Sequence, residues 1–329
     1  AGKIFSSQTG TENFPMFVPE VPTFNTPEEA REILRDLLIK ATADRMSDGA
    51  VKGSALSGGL DSSIIAVIAN QIDPTIPFFT VGIEGSLDIK NAQLMADYLD
   101  ARDRIHIHII SEKEIEKAVP DAIWYLESFE EDCISGCIAN FFASHLASQH
   151  TKCTLSGEGA DELFGGYHLL KEIENGKERK AMMDKLVNIA YNTALRRLDR
   201  GWLSCSVNYR TPFLDSRVIA LSQQIPVEWK IHGPTQVEKW ILREAFRDML
   251  PPEIADRRKL RFSAGTRVDD IMDTIASKHI SQEEYEAHRT TKSGYQLNSP
   301  KELWYYKIFK DLFPDDTFEK QVDRWDPFK

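Results

Sequence analysis

The sequence has little that would tie the protein to a membrane or to export. Its 329 residues contain no apolar run close to the roughly 20 residues that a membrane-spanning helix needs. The first residues also lack the basic segment and apolar core of a secretory signal. We therefore expect a cytoplasmic protein that makes no contact with membranes.

Cysteine is equally scarce, with four residues at positions 133, 137, 153 and 205. They form neither a CxxC pair nor the dense framework of a disulfide-rich domain, so we expect reduced, buried thiols. Cys133 and Cys137 are spaced to share one side of a helix, but two thiols alone make a poor metal site.

Positive charge is also in short supply. The 40 Lys and Arg residues are outnumbered by 51 Asp and Glu residues, which gives a formal net charge of -11. A nucleic-acid surface needs clustered Lys and Arg to displace counterions from phosphates. The charge balance therefore argues against a nucleic-acid partner and favours a small-molecule substrate.

What the sequence does contain is an alternation of strand and helix patterns. Short apolar runs at residues 51–56, 77–83, 104–110 and 151–155 are separated by segments with helical spacing. This order predicts an α/β fold whose parallel sheet is flanked by helices. Beyond about residue 180 the strand patterns fade, and amphipathic patterns predict a helical C-terminal part.

The N-terminal segment divides into two patterns. Residues 3–19 alternate in strand fashion around the turn-rich QTGTEN, which predicts a hairpin. Thr26, Pro27 and Glu29 then form a capping-box sequence, which predicts the start of a helix.

The most informative stretch is SGGLDSS, residues 57–63, between a predicted strand and a predicted helix. Backbone N–H groups and the helix dipole at such a junction favour an anion, and the glycines permit close approach of phosphate oxygens. Asp61 would repel a bare phosphate, so it indicates a bridging divalent cation. Because GxxxxGK[ST] is absent, the loop is not of the mononucleotide-binding kind. A glycine-rich turn with Asp and Ser as helix caps is the alternative interpretation.

A second motif, LSGEGADELFGGY at residues 155–167, also follows a predicted strand. It places Glu158, Asp161 and Glu162 at what should be the same carboxyl edge of the sheet, where α/β proteins bind ligands. Three carboxyl groups beside a phosphate-binding loop indicate magnesium binding or acid–base chemistry.

Together the two motifs resemble those of the asparagine synthetase family, whose synthetase domain carries an ATP-pyrophosphatase loop of the form SGGxDSS followed by SGEGxDE. RTPFLD, KWILREAF and RRKLRFSAG, at residues 210–215, 239–246 and 257–265, also resemble that family's later signatures. The resemblance covers nearly the whole chain. It implies a fold like that of the adenine nucleotide alpha hydrolases, and a ligase that uses ATP and Mg²⁺. Such an enzyme adenylates a carboxylate, aspartate in this family, releases pyrophosphate, and aminates the adenylate with ammonia.

The resemblance also implies roles for individual positions. Glu158 matches the family's proposed base for the amination step. Lys259 matches a lysine that stabilises charge on the adenylating phosphorus and on the tetrahedral intermediate. Asp61 and Asp161 match the magnesium-binding pair. The positions that match ATP-binding residues are Leu56, Ser57, Gly58, Gly59, Asp61, Ser62, Ser63, Val81, Gly82, Ser156 and Gly157.

Two positions depart from the family pattern. Bacterial and animal asparagine synthetases carry an arginine, suited to holding the substrate's carboxylate, where this chain has Ser135 in CISGCI. A serine hydroxyl does not replace the bidentate grip of arginine on a carboxylate, so the identity of the acceptor is left open. The usual ExRxPFLD reads NYRTPFLD, with Asn208 in place of glutamate.

Family members usually begin with a glutaminase domain whose N-terminal cysteine attacks glutamine. This chain begins at Ala1, and its first cysteine is Cys133. We expect residues 1–25 to be a remnant hairpin of such a domain and residues 26–329 to be the synthetase domain. The chain is then a fragment, a processed chain or one subunit of a split enzyme. Expected partners are a carboxylate substrate, ammonia and a glutaminase domain or subunit, and the resemblance is compatible with a homodimer.

Three other interpretations share parts of this pattern. A β-lactam-synthetase-like enzyme would use the same adenylation and close a ring with an internal amine. An RNA-modifying ATP pyrophosphatase would share the SGGxDSS loop, but the acidic composition argues against it. A non-catalytic binding protein would not need the chemical groups of Asp61, Glu158, Asp161 and Lys259. The basic cluster around Lys259 fits either a solvated face or a site that offsets triphosphate charge. His106 and His108 are interpreted as packed residues without a role.

Overall fold

The computed structural model shows an N-terminal hairpin followed by an α/β unit and further helices. Strands β1 (Lys3–Ser6) and β2 (Gly10–Asn13) pair antiparallel, which confirms the predicted hairpin over these residues. Its origin in a glutaminase domain stays a prediction. The structure describes residues 3–6, 10–13, 19–260 and 262–322, and the predicted hairpin residues 7–9 and 14–18 lie outside them.

A five-stranded parallel sheet forms the centre of the α/β unit, with the strand order β5-β4-β3-β6-β7. All four strands predicted from apolar runs are present. A fifth, β7, was missed because its sequence, NYR, is only partly buried and has no apolar run. It lies in the part expected to be helical. The strands are β3 (Ser54–Ala55), β4 (Phe78–Gly82), β5 (Ile105–Ile109), β6 (Cys153–Leu155) and β7 (Asn208–Arg210).

Helices cover both faces of this sheet because alternate strand residues point to opposite sides. Phe78 belongs to an apolar cluster with residues of the first three helices, whereas the adjacent Phe79 joins the next two helices in a second cluster. These helices are α1 (Pro27–Met46), α2 (Leu60–Ile72), α3 (Leu87–Tyr98), α4 (Glu112–Leu126) and α5 (Glu131–Ser148).

The predicted start of α1 is confirmed, with one difference in its capping. The Thr26 hydroxyl accepts a hydrogen bond from the Glu29 N–H at 3.2 Å. The Glu29 carboxylate reaches back to the N–H of Asn25 at 2.7 Å, one residue before the N-cap that a capping box uses. Leu34 and Leu38, four residues apart, are fully buried on the face that packs against the core.

The C-terminal part is mainly helical, as predicted, and it extends the second apolar cluster with Trp304, Tyr305 and Phe309. A short antiparallel pair, β8 (Ile231–His232) and β9 (Val237–Glu238), interrupts it. The remaining helices are α6 (Ala160–Phe164), α7 (Gly176–Ile189), α8 (Ala194–Leu203), α9 (Ser216–Gln224), α10 (Val227–Lys230), α11 (Trp240–Phe246), α12 (Pro252–Ala255), α13 (Phe262–Gly265), α14 (Val268–His279), α15 (Gln282–His288), α16 (Pro300–Leu312) and α17 (Asp316–Glu319).

All four cysteines are free, as predicted, and Cys205 alone of the four is partly exposed. Within the described ranges, no group of three or more His, Cys, Asp or Glu residues is arranged to hold a metal ion. No helix in the same part of the chain has both the length and the apolar composition to cross a membrane.

Candidate active site at the carboxyl edge of the sheet

The loop between β3 and α2 begins with a turn that requires glycine. Gly58 has φ +65, and a Cβ atom at this residue would lie 2.5 Å from the backbone nitrogen of Ala92. Real Cβ atoms do not approach other atoms so closely, and L-residues with side chains rarely adopt this φ. The first glycine of SGG therefore holds the loop against α3.

We expect Gly58→Ala to destabilise the fold by about 1–3 kcal/mol more than Gly85→Ala, because overpacking against a backbone adds to the strain of the left-handed conformation. Gly85 is a matched control, since it has φ +73 but open space where its Cβ would be. Urea unfolding of both variants measures the difference. Equal losses would show that the close approach to α3 is relieved by movement of the loop.

Serine hydroxyls brace this loop and leave the start of α2 open. Ser62 Oγ accepts from the Ser57 N–H at 3.2 Å and lies 3.0 Å from Ser57 Oγ. Gly59, at the N-cap of α2, provides no side-chain cap. The first N–H groups of this 13-residue helix therefore face the cleft without a capping side chain, which suits an anion.

The second motif packs its backbone directly on the first because β3 and β6 are neighbouring parallel strands. A Cβ atom at Gly157 would lie 2.7 Å from the Ser62 nitrogen. Gly159 is the N-cap residue of α6 and has φ +98, a conformation that favours glycine. This close approach brings Asp61 and Asp161 to the same place, as the motif spacing predicts.

Two lysines join these aspartates. Lys239 Nζ lies 2.5 Å from Asp61 Oδ2 and 2.6 Å from Asp161 Oδ1. Lys259 Nζ lies 2.6 Å from Asp161 Oδ2 and 3.9 Å from Asp61 Oδ2. Burial alone would raise the pKa of Asp161, but the two ammonium groups hold it well below its usual value. Lys259 therefore lies beside both predicted metal ligands, and its role in the chemistry stays a prediction.

Lys239 is the first residue of KWILREAF, and the sequence alone predicts no role for it. It is 1% exposed and is the N-cap residue of α11, with φ +55, a left-handed conformation that is uncommon for lysine. A Cβ atom at Gly166 would overlap Lys239 Cε and the Asp161 carboxylate, so the second glycine of FGGY makes room for this ion pair. The one available signal was a lysine preceding the buried run of α11.

Glu158 lines the cleft beside these charges. Its carboxylate lies 3.6 Å from Arg197 Nη2 and its side chain is 23% exposed. Burial, opposed by Arg197, raises the pKa of Glu158 above the ordinary carboxyl value. A carboxyl group with a raised pKa beside a ligand cleft is suited to accept a proton.

Glu162 has a different environment, although it is only four residues further along. It is 4% exposed, and Tyr167 Oη donates a hydrogen bond to it at 2.5 Å. Burial and the neighbouring Glu158 and Asp161 raise the pKa of Glu162 to about 7. It does not line the cleft, so the three carboxyl groups of the motif divide into two that do and one that is packed beneath.

The basic segment after α12, residues 257–259, is held against the SGG loop by hydrogen bonds and ion pairs. Arg257 donates to Asp88 at 2.6 Å and to the Ser57 carbonyl at 3.3 Å. The Lys259 N–H donates to Glu238 at 3.0 Å, and Lys171 pairs with the same carboxylate at 2.6 Å. This part of the cluster is therefore a wall of the cleft rather than a solvated face. Arg261 lies outside the described residues.

These loops and segments line one cleft at the carboxyl edge of the sheet. Its walls include most of the predicted site residues, whose roles stay predictions. Three of the predicted residues do not line it: Gly58 forms the turn behind, Ser63 is fully buried, and Gly82 lies under Ser86 and Ile89. The predicted residues on the walls are Leu56, Ser57, Gly59, Asp61, Ser62, Val81, Ser156, Gly157, Glu158, Asp161 and Lys259.

This parallel sheet, with the SGG loop and an acidic pair at its carboxyl edge, has the architecture of an α/β fold of the ATP-pyrophosphatase type. The family model for asparagine synthase matches residues 33–203 and 174–328. The chain belongs to the asparagine synthase family.

Curated relatives agree with this membership. The glutamine-hydrolyzing asparagine synthetase of Zea mays is 32% identical over 352 aligned positions, which cover 99% of this chain and 58% of the relative. Glutamine-hydrolyzing asparagine synthetase B of Escherichia coli (strain K12) is 32% identical over 305 positions, covering 85% of this chain and 53% of the relative. The chain spans just over half the length of these relatives.

Proposed function

We propose that the chain is the synthetase part of an asparagine synthetase-type ligase. It would adenylate a carboxylate, with aspartate as the leading candidate, release AMP and pyrophosphate, and form an amide with ammonia. The observation that carries this proposal is the assembly of Asp61, Asp161 and Lys259 beside the SGG loop, with Glu158 on the same cleft. The names of the maize and E. coli relatives support the choice of reaction.

The first half-reaction needs the triphosphate to be held and its charge to be offset. The open N–H groups of α2 and the Ser57 and Ser62 hydroxyls are placed to bind phosphate oxygens. Lys259, whose pKa stays raised despite burial because of Asp161 and Asp61, carries a full positive charge into the cleft. That charge suits the adenylating phosphorus.

The two aspartates also fit a magnesium ion. Asp61 Oδ1 is buried and has no hydrogen-bond partner among the described residues, which is unusual for a carboxylate oxygen. Carboxylate oxygens are the ligands that Mg²⁺ prefers, one or two being usual beside substrate phosphates. Asp61 and Asp161 would hold the ion, and when bound it would offset the charge of the pyrophosphate leaving group.

The second half-reaction needs a base. Ammonia loses a proton as it attacks the adenylate, and Glu158 is the cleft carboxyl group whose pKa is raised. We propose that ammonia comes from a glutaminase domain or subunit. Residues 1–25 would then be a remnant hairpin of that domain, and residues 26–329 the synthetase domain.

Exchange of labelled pyrophosphate into ATP tests the proposed function. We expect purified chain with ATP and magnesium to catalyse exchange only when an acceptor acid is added, with aspartate leading a panel of carboxylic acids. Ammonium should then convert the same acid to its amide. Exchange without any acid, or no exchange with the whole panel, would contradict the proposal.

A further inference from the structure

Arg197, on α8, is a charged residue beside the cleft for which the proposed chemistry has no use. Its contact with Glu158, 3.6 Å from Nη2 to Oε1, is too long for a hydrogen bond, and it is the one ion pair of this guanidinium within the described ranges. A guanidinium presents five N–H donors in a planar fork. The side chain is 29% exposed, so the guanidinium is partly shielded from water but still accessible to a ligand. Such a group is ready to accept an anionic ligand.

Helix α5 is shaped to admit this side chain. A Cβ atom at Gly136 would lie 2.8 Å from Arg197 Cδ, so the absence of a side chain at 136 makes the space that Arg197 occupies. The preceding residue, Ser135, is 1% exposed and uncharged. The positive charge beside this stretch of α5 therefore comes from α8.

The position of Arg197 relative to the other charges indicates what it binds. Lys239 and Lys259 are already paired with the two aspartates. Glu158 lines the cleft and contacts Arg197, and Leu198, the next residue on α8, lines the same cleft. An acceptor whose reacting carboxyl group lies near Lys259 and Glu158 would direct a second carboxyl group, if it has one, towards Arg197.

We propose that Arg197 determines acceptor specificity by binding the non-reacting carboxylate of a short dicarboxylic acid. The proposal rests on the proposed function. Bidentate pairing with a carboxylate matches the fork of the guanidinium and is much stronger than the loose contact with Glu158. An acid with a single carboxyl group would leave these donors unpaired and would bind more weakly.

Aspartate and 3-aminopropanoate, which is aspartate without its α-carboxylate, separate this role from a structural one. In acid-dependent pyrophosphate exchange, we expect wild type to show a KM for aspartate at least about tenfold below that for 3-aminopropanoate, the usual scale for a charged hydrogen-bonded pair. Arg197→Gln should raise the aspartate KM to the 3-aminopropanoate value and leave the KM and kcat for 3-aminopropanoate within about twofold of wild type. Arg197→Lys should restore part of the preference, since it keeps the charge without the fork.

Two further variants control for folding and position. Arg200 lies three residues further along α8, is exposed, and has its guanidinium 3.7 Å from the Glu127 carboxylate. Arg200→Gln should therefore leave the preference for aspartate unchanged. Gly136→Ala keeps Arg197 but displaces its side chain. It should therefore raise the KM for aspartate and leave the KM for 3-aminopropanoate unchanged. An equal rise of both KM values in Arg197→Gln, or an unchanged aspartate KM, would overturn the inference. Failure of wild type to exchange with any acid would instead remove the proposed function, and this inference with it.

Discussion

Glu158→Gln should separate the two half-reactions. Amide formation is expected to fall by about 10²- to 10⁴-fold, because the amide group of glutamine cannot accept the proton that ammonia loses. Acid-dependent pyrophosphate exchange should stay within a few-fold of wild type, since adenylation does not use this base. The two rates are measured on the same preparation, with amide formation expressed per free ammonia.

The pH dependence of amide formation gives a second, independent test of Glu158 as the base. Burial raises the pKa of Glu158, so amide formation should fall with decreasing pH at values above those of an ordinary carboxyl group, and this limb should be absent in Glu158→Gln. Glu162→Gln is the matched control, because it makes the same change in a carboxyl group that does not line the cleft, and both half-reactions should persist. Equal loss of both half-reactions in Glu158→Gln would make Glu158 a substrate ligand or a structural residue.

The parts of the site that are local in sequence could be predicted. SGGLDSS and SGEGADE each follow a parallel strand, and such strands bring their carboxyl ends to one edge, so Asp61 and Asp161 could be placed together before any contact was known. The glycines of both motifs carried the same information, because Gly58 and Gly157 lie where a side chain would overlap neighbouring backbone.

The parts that depend on contacts between distant segments could not be predicted. Lys239 pairs with Asp61, 178 residues away in sequence, and Glu238 positions the Lys259 backbone. Nothing in the periodicity of α11 distinguishes a lysine that faces a carboxylate pair from one at a solvated helix end. Arg197 presents the same difficulty, because its place beside Glu158 depends on the packing of α8 against Gly136.

Lys239→Met tests the charge cluster itself, and we expect it to destabilise the fold by about 3–5 kcal/mol at neutral pH, with loss of pyrophosphate exchange. The side chain is 1% exposed and lies within 2.6 Å of both carboxylates. Removing one member of a buried ion pair leaves the remaining charges desolvated and unpaired. Lys259 stays 2.6 Å from Asp161 but 3.9 Å from Asp61, so it cannot replace the lost ammonium at both. Urea unfolding measures the change.

The pH dependence of the stability lost in Lys239→Met shows whether the loss comes from the charge of the lysine. In wild type the lysines lower the pKa of Asp161, so its stabilising contribution is present above the unfolded carboxyl pKa and is lost as pH falls through the lower folded value. Without Lys239, burial dominates and the Asp161 pKa should rise, so mild acid protonates the carboxyl group and relieves the repulsion. The stability difference between wild type and variant should therefore shrink between pH 7 and about pH 5.

A matched control and a second substitution test whether Lys239→Met loses stability through the charge of the lysine. Lys180→Met removes an exposed lysine paired with Asp184 at 2.8 Å, so it should cost less than about 1 kcal/mol and show no such pH dependence. Adding Asp161→Asn to Lys239→Met should recover part of the lost stability, because it removes one of the two facing carboxylates, but exchange should stay absent. A deficit that is the same at both pH values and is not reduced by Asp161→Asn would assign the loss to packing of the lysine stem, not to its charge.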